Sequence, residues 1–284
     1  IENPTEEDQI TSECYSFTTS APRGTPFSFI LYGDNRTNID RHEGVVRLMR
    51  ETAETQPIRF IMNTGDLVTR GSPWDEWQDE FFEPVLPLLA EHPLYPVLGN
   101  HEGNHETWYE YMSLPNNESW YTFSYGDADF FGLNTSADMS PGSTQYEWFN
   151  QAVANSSATW RIAFFHHPPY SCVPSRKPGN RAVRENLVPI FRRPRAGEPD
   201  RVEVNLVLLG HDHLYGRGEV DGVHYVISGG GGASTYPAQP DQYNEVCVRT
   251  HHYCIVNVSD EAIVLEAIDL DDGEPVEPQP FELR

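Results

Sequence analysis

Positive charge is scarce in this chain. Of 284 residues, 19 are Lys or Arg and 43 are Asp or Glu, a formal net charge of −24. A field of that sign repels polyanions, which argues against nucleic acid as a main partner. It also favours solubility and is common in salt-adapted proteins. Long apolar runs are missing as well: no stretch of 18 or more apolar residues occurs, so no segment reads as a membrane span and no membrane partner is expected. The four cysteines, Cys14, Cys172, Cys247 and Cys254, include no CxxC pair, which disfavours a thiolate zinc site, while their even number admits two disulfides. The sequence opens "IENPTEEDQ", without Met and without an apolar leader, which reads as a processed N-terminus. Asn-x-Ser/Thr triplets begin at Asn117, Asn134, Asn155 and Asn257. Together these features suggest an extracytoplasmic location, periplasmic or secreted. No internal repeat is visible.

What is present is alternation. At 38% hydrophobic residues the chain can build a substantial core. Residues 1–26 are polar with Pro and Gly and read as an extended arm; 27–284 read as one domain. Apolar, strand-like runs occupy 27–34, 58–66, 94–102, 160–171, 205–213 and 223–232, with hairpins expected over 119–136 and 251–270. Helical spacing falls between them at 40–54, 105–114 and 143–156. Two further helical stretches, 73–92 and 181–193, should be interrupted, the first at Pro84 and Pro87 and the second at Pro189. The acidic tail from 271 reads as a surface strand or loose end. Strands alternating with helices predict an α/β fold with a buried, mixed sheet.

Five of the apolar runs end in metal-binding residue types: Asp34 after "FILYG", Asp66 after "FIMNTG", Asn100 after "YPVLG", His166-His167 after "RIAFF", and His211 with His213 after "LVLLG". In four of the five a glycine immediately precedes the polar residue, which would let the chain turn sharply out of the sheet. Ligands of α/β sheets bind beyond the carboxyl ends of strands. One edge would therefore receive carboxylates, an amide and imidazoles, a mixed N/O set suited to Zn, Mn or Fe rather than Ca.

The ordered set GD (33–34), GD (65–66), GNHE (99–102), HHPP (166–169) and GHDH (210–213) resembles the calcineurin-like metallophosphoesterases, and "GNHE" with "GHDHLYGR" most resembles their purple acid phosphatase branch. The resemblance spans about residues 27–232. It implies a four-layer α/β/β/α sandwich with two mixed sheets, two divalent or trivalent metal ions, and hydrolysis of a small phosphate ester. Carried over, Asp66 bridges the ions, Asp34 and His213 hold the first, and Asn100, His166 and His211 hold the second, with His167 as the alternative to His166. His101 would contact phosphate and protonate the leaving group, and Glu102 would hold a neighbour in place. Asp212 is expected to face solvent or to support a ligand.

Two departures stand out. The family's first motif is Asp-x-His, where this chain has Asp34-Asn35-Arg36, and the branch's tyrosine three residues after the bridging Asp is here Thr69. His42, near the start of the following helix, is the candidate substitute ligand, and Arg36 a candidate phosphate clamp. The glycine run "SGGGGAS" (228–234) lacks the GK[ST] ending of a phosphate-binding P-loop and reads instead as close backbone approach. Cys172 and Cys247 sit in loops expected on one edge and can pair, leaving Cys14 with Cys254. The departures also admit a second function: a non-catalytic recognition module that keeps the fold and a metal.

Overall fold

Uninterrupted apolar strands need cover on both faces, and a computed structural model, which describes residues 14–284, provides it. Along β1 (Phe27–Tyr32), Phe29 joins the core between two sheets while the next residue, Ile30, joins a second core against helices. β6 (Trp160–Phe165) repeats the pattern, with Ile162 and Phe164 between the sheets and Ala163 and Phe165 outside. Each fully buried aromatic of this kind contributes about 1.5–3 kcal/mol by transfer from water.

The first sheet adds β2 (Ile58–Asn63), β3 (Leu94–Pro96), β13 (His252–Val258), β14 (Ile263–Asp269) and β15 (Phe281–Leu283), in the order β15-β14-β13-β1-β2-β3. The second holds β4 (Tyr121–Tyr125), β5 (Ala128–Gly132), β9 (Leu206–Leu209), β10 (Tyr215–Val220), β11 (Val223–Ser228) and β12 (Val246–Val248) with β6, in the order β12-β10-β11-β9-β6-β5-β4. A small separate hairpin pairs β7 (Pro194–Arg195) with β8 (Glu198–Val202). Outside the first sheet lie α1 (Ile39–Thr55), α2 (Trp74–Glu76), a π-helical turn (Trp77–Phe82), α3 (Glu83–Leu89) and α4 (Glu106–Tyr111). Outside the second lie α5 (Thr144–Asn155), α6 (Arg181–Asn186) and α7 (Val188–Phe191). The result is the α/β/β/α sandwich with two mixed sheets.

Parallel pairing sets the functional edge. Tyr32 lies opposite Asn63, Asn63 opposite Pro96, and Phe165 opposite Leu209. The loops carrying Asp34, Asp66 and Asn100 therefore leave the first sheet side by side, and those carrying His166 and His211 leave the second in the same way.

Several local expectations change. Residues 74–89 form continuous helical structure with Pro84 and Pro87 inside it: a π turn stands before Pro84, and the carbonyl four residues earlier, Glu80 O, accepts His42 Nδ1–H instead of a helical N–H. The break in 181–193 falls at Leu187, two residues before Pro189. β10 pairs over "YGRGEV", a stretch without an apolar pattern. The tail ends as β15 on the sheet edge. Residues 14–26 carry no helix or strand, and the rest of the expected arm lies outside the described residues. Cys172 and Cys247 are bridged. Cys14 and Cys254 are not: Cys254 faces the buried space between the sheets, where exposed Cys14 cannot meet it. No helix of the described residues is long and apolar enough to cross a membrane.

Candidate functional site

Asp34, Asp66 and His211 all adopt left-handed backbone conformations, with φ of 56°, 57° and 68°. For non-glycine residues this is an uncommon, strained state that surrounding structure must impose. The preceding glycines act differently from the sharp turning expected of them. Only Gly65 has positive φ; Gly99 and Gly210 are needed for close approach, since a Cβ on Gly99 would overlap Asp66 and one on Gly210 would press on Asp34 Oδ2 and Thr64 Oγ1. The 229–232 glycines likewise lace the backbone to the first loop, with Gly231 N–H donating to Gly33 O (2.8 Å) and Ala233 N–H to Asp34 O (2.8 Å).

The strained loops bring the side chains together. One ligand atom each of Asp34, Asp66 and His166 lies within 4.8 Å of the others, and His166, His167 and His211 form a second such group. Asp66 divides its oxygens: Oδ1 is 3.4 Å from His166 Nε2, and Oδ2 is 3.3 Å from Arg36 Nε. His166 Nε2 also lies 3.2 Å from Asn100 Oδ1 and 3.2 Å from His211 Nδ1. On the other side, His213 Nε2 is 3.3 Å from Asp34 Oδ1, a buried oxygen with no hydrogen-bond donor.

Tautomers follow from the carbonyl partners. His166 Nδ1–H donates to Thr64 O (2.9 Å) and His213 Nδ1–H to Ser234 O (2.8 Å). In the neutral rings both Nε2 lone pairs then point into the cluster, as metal-ligating imidazoles require. Asp34 Oδ1, buried without a hydrogen-bond donor and facing His213 Nε2, is costly unless a cation joins it. The donor set therefore fits metal ions: Asp66 Oδ1, Asn100, His166 and His211 on one side, Asp34, Asp66 Oδ2 and His213 on the other.

Without an ion, the charges press on one another. Burial opposes the charge of His166, but Asp66 and Asp34 outweigh it and lift the imidazole to about 9. Burial and the neighbouring His166 push His211 down to about 2, and the same causes push His167 to about 3. Burial would raise Asp66, yet His166 and His101 hold it well below the usual carboxylate range.

The remaining expected residues divide between the cluster and its support. His101 is at the edge: Nδ1–H donates to Thr69 O (2.7 Å) and Nε2 stands 3.9 Å from Asp66 Oδ2. Glu102 lies beneath. Its carboxylate accepts the N–H groups of Asp66, Leu67, Val68 and Gly99, so it positions the Asp66 loop and touches no cluster donor directly. Burial and the charge of Asp66 raise it to about 7 against those four donors. Asp212 is fully buried rather than solvent-facing, bonded to Ser171 and Arg176.

His42 does not join the cluster, contrary to the expectation that it replaces the first ion's missing ligand. It sits within α1, stacked on Tyr32, with Nδ1–H donating to Glu80 O (2.9 Å) and no partner at Nε2. The packed face of the helix aims the ring at the core rather than at the loops. Thr69, in place of the branch's tyrosine, is held by Glu80 through both N–H and hydroxyl. Arg36 occupies that side instead, with Nη1 also donating to Thr37 Oγ1 (3.0 Å). Sequence reasoning overlooked Arg176, whose Nη1 donates to His211 O (2.8 Å) and Asp212 Oδ1 (3.0 Å). It ends a short 3₁₀ turn (Pro174–Arg176) with no pattern to announce it.

The calcineurin-like phosphoesterase family model matches residues 27–215, which include every cluster residue. The chain belongs to that family. Among its relatives, "Probable purple acid phosphatase 20" of Arabidopsis thaliana is 26% identical over 223 residues, covering 72% of this chain and 49% of the relative. Among solved structures, the purple acid phosphatase PPD1 of yellow lupin superposes with a TM-score of 0.77 at 18% identity, over 94% of this chain and 55% of its own. GAP50, titled the anchor in the inner membrane complex of Plasmodium, gives 0.72 at 16% identity, over 91% and 89%. The structural likenesses bear out the fold, and the relatives named purple acid phosphatase agree with the resemblance to that branch. The chain spans half or less of the length of the curated relatives it matches.

Proposed function

We propose that this phosphoesterase hydrolyses small phosphate esters at a centre of two metal ions shared by Asp66. The observation that carries the reading is the convergence of Asp34, Asp66 and His166 within 4.8 Å at the shared edge of both sheets, inside the family-matched segment. Asp66 would be common to both ions, with Asp34 and His213 completing one position and Asn100, His166 and His211 the other. Bound there, Fe, Mn or Zn would supply Lewis acidity and a water of lowered pKa.

The chain's own groups do the rest. Glu102 fixes the left-handed Asp66 loop, so both oxygens of Asp66 are held apart on the two sides before any ligand arrives. Arg36, only 14% exposed, offers a planar cation that would turn from Asp66 Oδ2 to a phosphate oxygen. His101 keeps Nδ1–H on the Thr69 carbonyl, so Nε2 is the atom that would carry a proton to the leaving oxygen. The disulfide between Cys172 and Cys247 supports an extracytoplasmic location, where such bonds persist.

The contact of Arg36 with Asp66 also favours a second reading, a binding module in which a guanidinium replaces one ion. One experiment decides between them: turnover of p-nitrophenyl phosphate measured with metal content by elemental analysis. Turnover that a chelator removes and metal restores, with two ions per chain, supports the hydrolase. No turnover of mono- or diesters, with one ion or none, supports the module.

A further inference from the structure

Beside the His211 end of the cluster lies a cavity of about 250 Å³ lined by His167, Ser171, Arg176, Asn180 and His211. Arg176 enters it already braced. Its Nη1 is fixed by the His211 carbonyl and by buried Asp212, and its Cζ lies over the Tyr236 ring, 4.5 Å from the ring centre. Tyr236 in turn stacks on His213, 4.2 Å away and nearly parallel. Bracing removes much of the rotamer entropy that an arginine ordinarily loses on binding.

Arg176 has donors left over. Its Nε and Nη2 make no hydrogen bond among the described residues, and its side chain is 32% exposed. His167 faces the same cavity, its Nδ1 2.8 Å from Thr135 Oγ1, which also accepts the His167 main-chain N–H (3.2 Å). Ser171 is consumed by Asp212 and the Asn180 oxygen by its helix cap at Val183, so the unspent charged group on this wall is the Arg176 guanidinium. In a chain of net charge −24, such a guanidinium beside the cluster selects an acceptor-only, negatively charged group.

We propose that this cavity is a subsite for a second anionic oxygen group, carboxylate or phosphate, carried by the substrate. The subsite rests on the phosphate-ester reading of the neighbouring cluster. It makes the preferred substrate a doubly anionic phosphate ester, with Arg176 as the specificity-determining residue. Its aromatic brace and Asp212 keep the guanidinium from collapsing onto the ion ligands.

The test uses the metal-loaded protein and two phosphonates of similar shape, 3-phosphonopropionate and n-propylphosphonate, with binding measured by calorimetry. The subsite predicts that the carboxylate-bearing probe binds about tenfold or more tighter, the worth of a charge-assisted hydrogen-bonded pair. In Arg176→Gln and Arg176→Lys that preference should shrink, to near unity in the first and partially in the second. For turnover, the loss in Arg176→Gln should lie in KM and be larger for a carboxylate-bearing phosphate ester than for p-nitrophenyl phosphate. Equal binding of the two phosphonates by the unaltered protein overturns the subsite and leaves the phosphoesterase reading standing. Binding of neither overturns both. A preference retained in a folded Arg176→Gln protein overturns the assignment to Arg176.

Discussion

The two sides of the cluster are unequal. One gathers four donors from both sheets: Asp66 Oδ1, Asn100, His166 and His211, packed at 3.2–3.4 Å about His166 Nε2. The other gathers three, Asp34, His213 and Asp66 Oδ2, and a guanidinium stands on the last of these. A four-donor set satisfies a tetrahedral ion by itself; a three-donor set leaves a position open and, here, has a resident competitor. Ions on the two sides should therefore differ in affinity and exchange, with Arg36 tuning only the weaker side.

Removing the shared carboxylate should erase the comparison altogether. Asp66→Ala is expected to lower kcat by about 10³-fold or more, since both proposed ion positions lose a ligand; elemental analysis should find neither ion retained, and an ion kept at full occupancy would refute the sharing. The next largest effects should separate the sides. His166→Ala should release the tightly held ion, while His213→Ala should spare it and lower affinity on the other side by about 100-fold, somewhat above the effect of losing an outer partner. Competition titration with a chromogenic chelator reads both, and equal losses from both positions would contradict the asymmetry.

Arg36→Ala should sharpen the contrast in the opposite sense. Freed of the cation, the three-donor side should bind its ion more tightly, while KM for a phosphate ester rises about tenfold, as expected for losing one charge-assisted contact. A fall in ion affinity on that side would place Arg36 in a supporting role instead. The smallest effect on the cluster should come from His42→Gln, with ion content unchanged. Its effect should be on stability. Burial lowers His42 from 6.5 to about 4, so as pH falls below about 6.5 protons bind the unfolded chain first. That ring's contribution is present above pH 6.5 and fades towards pH 4, by about 3 kcal/mol in all. Chemical denaturation between pH 7 and 4 should therefore show a shallower loss in the variant, and an unaltered slope would exclude the ring as the source.

Much of this site was legible because its clustered side chains follow directly on apolar strands. Parallel pairing carries Asp34, Asp66, His166 and His211 to one edge, so strand order alone brings distant motifs together. The left-handed backbone of Asp34, Asp66 and His211 agrees with residue types that tolerate it better than most, but only the surrounding contacts fix it at these three positions among the many Asp and His of the chain. His42 misled through proximity in sequence: it is close to Asp34 along the chain, but the apolar face of α1 turns its ring inward. Arg176 was invisible because its meaning depends on a buried Asp212 and on Tyr236, residues far from it in sequence. In the fold, β10 was hidden by two glycines and two charges in six residues, pairing because its neighbours β11 and β12 demand it.

If both sides of Asp66 hold metal, crystals equilibrated with Mn²⁺ and measured for anomalous scattering should show two peaks flanking the Asp66 carboxylate, the stronger among Asn100, His166 and His211. Absence of any peak at Asp66, or a lone peak among His166, His167 and His211, would contradict that arrangement.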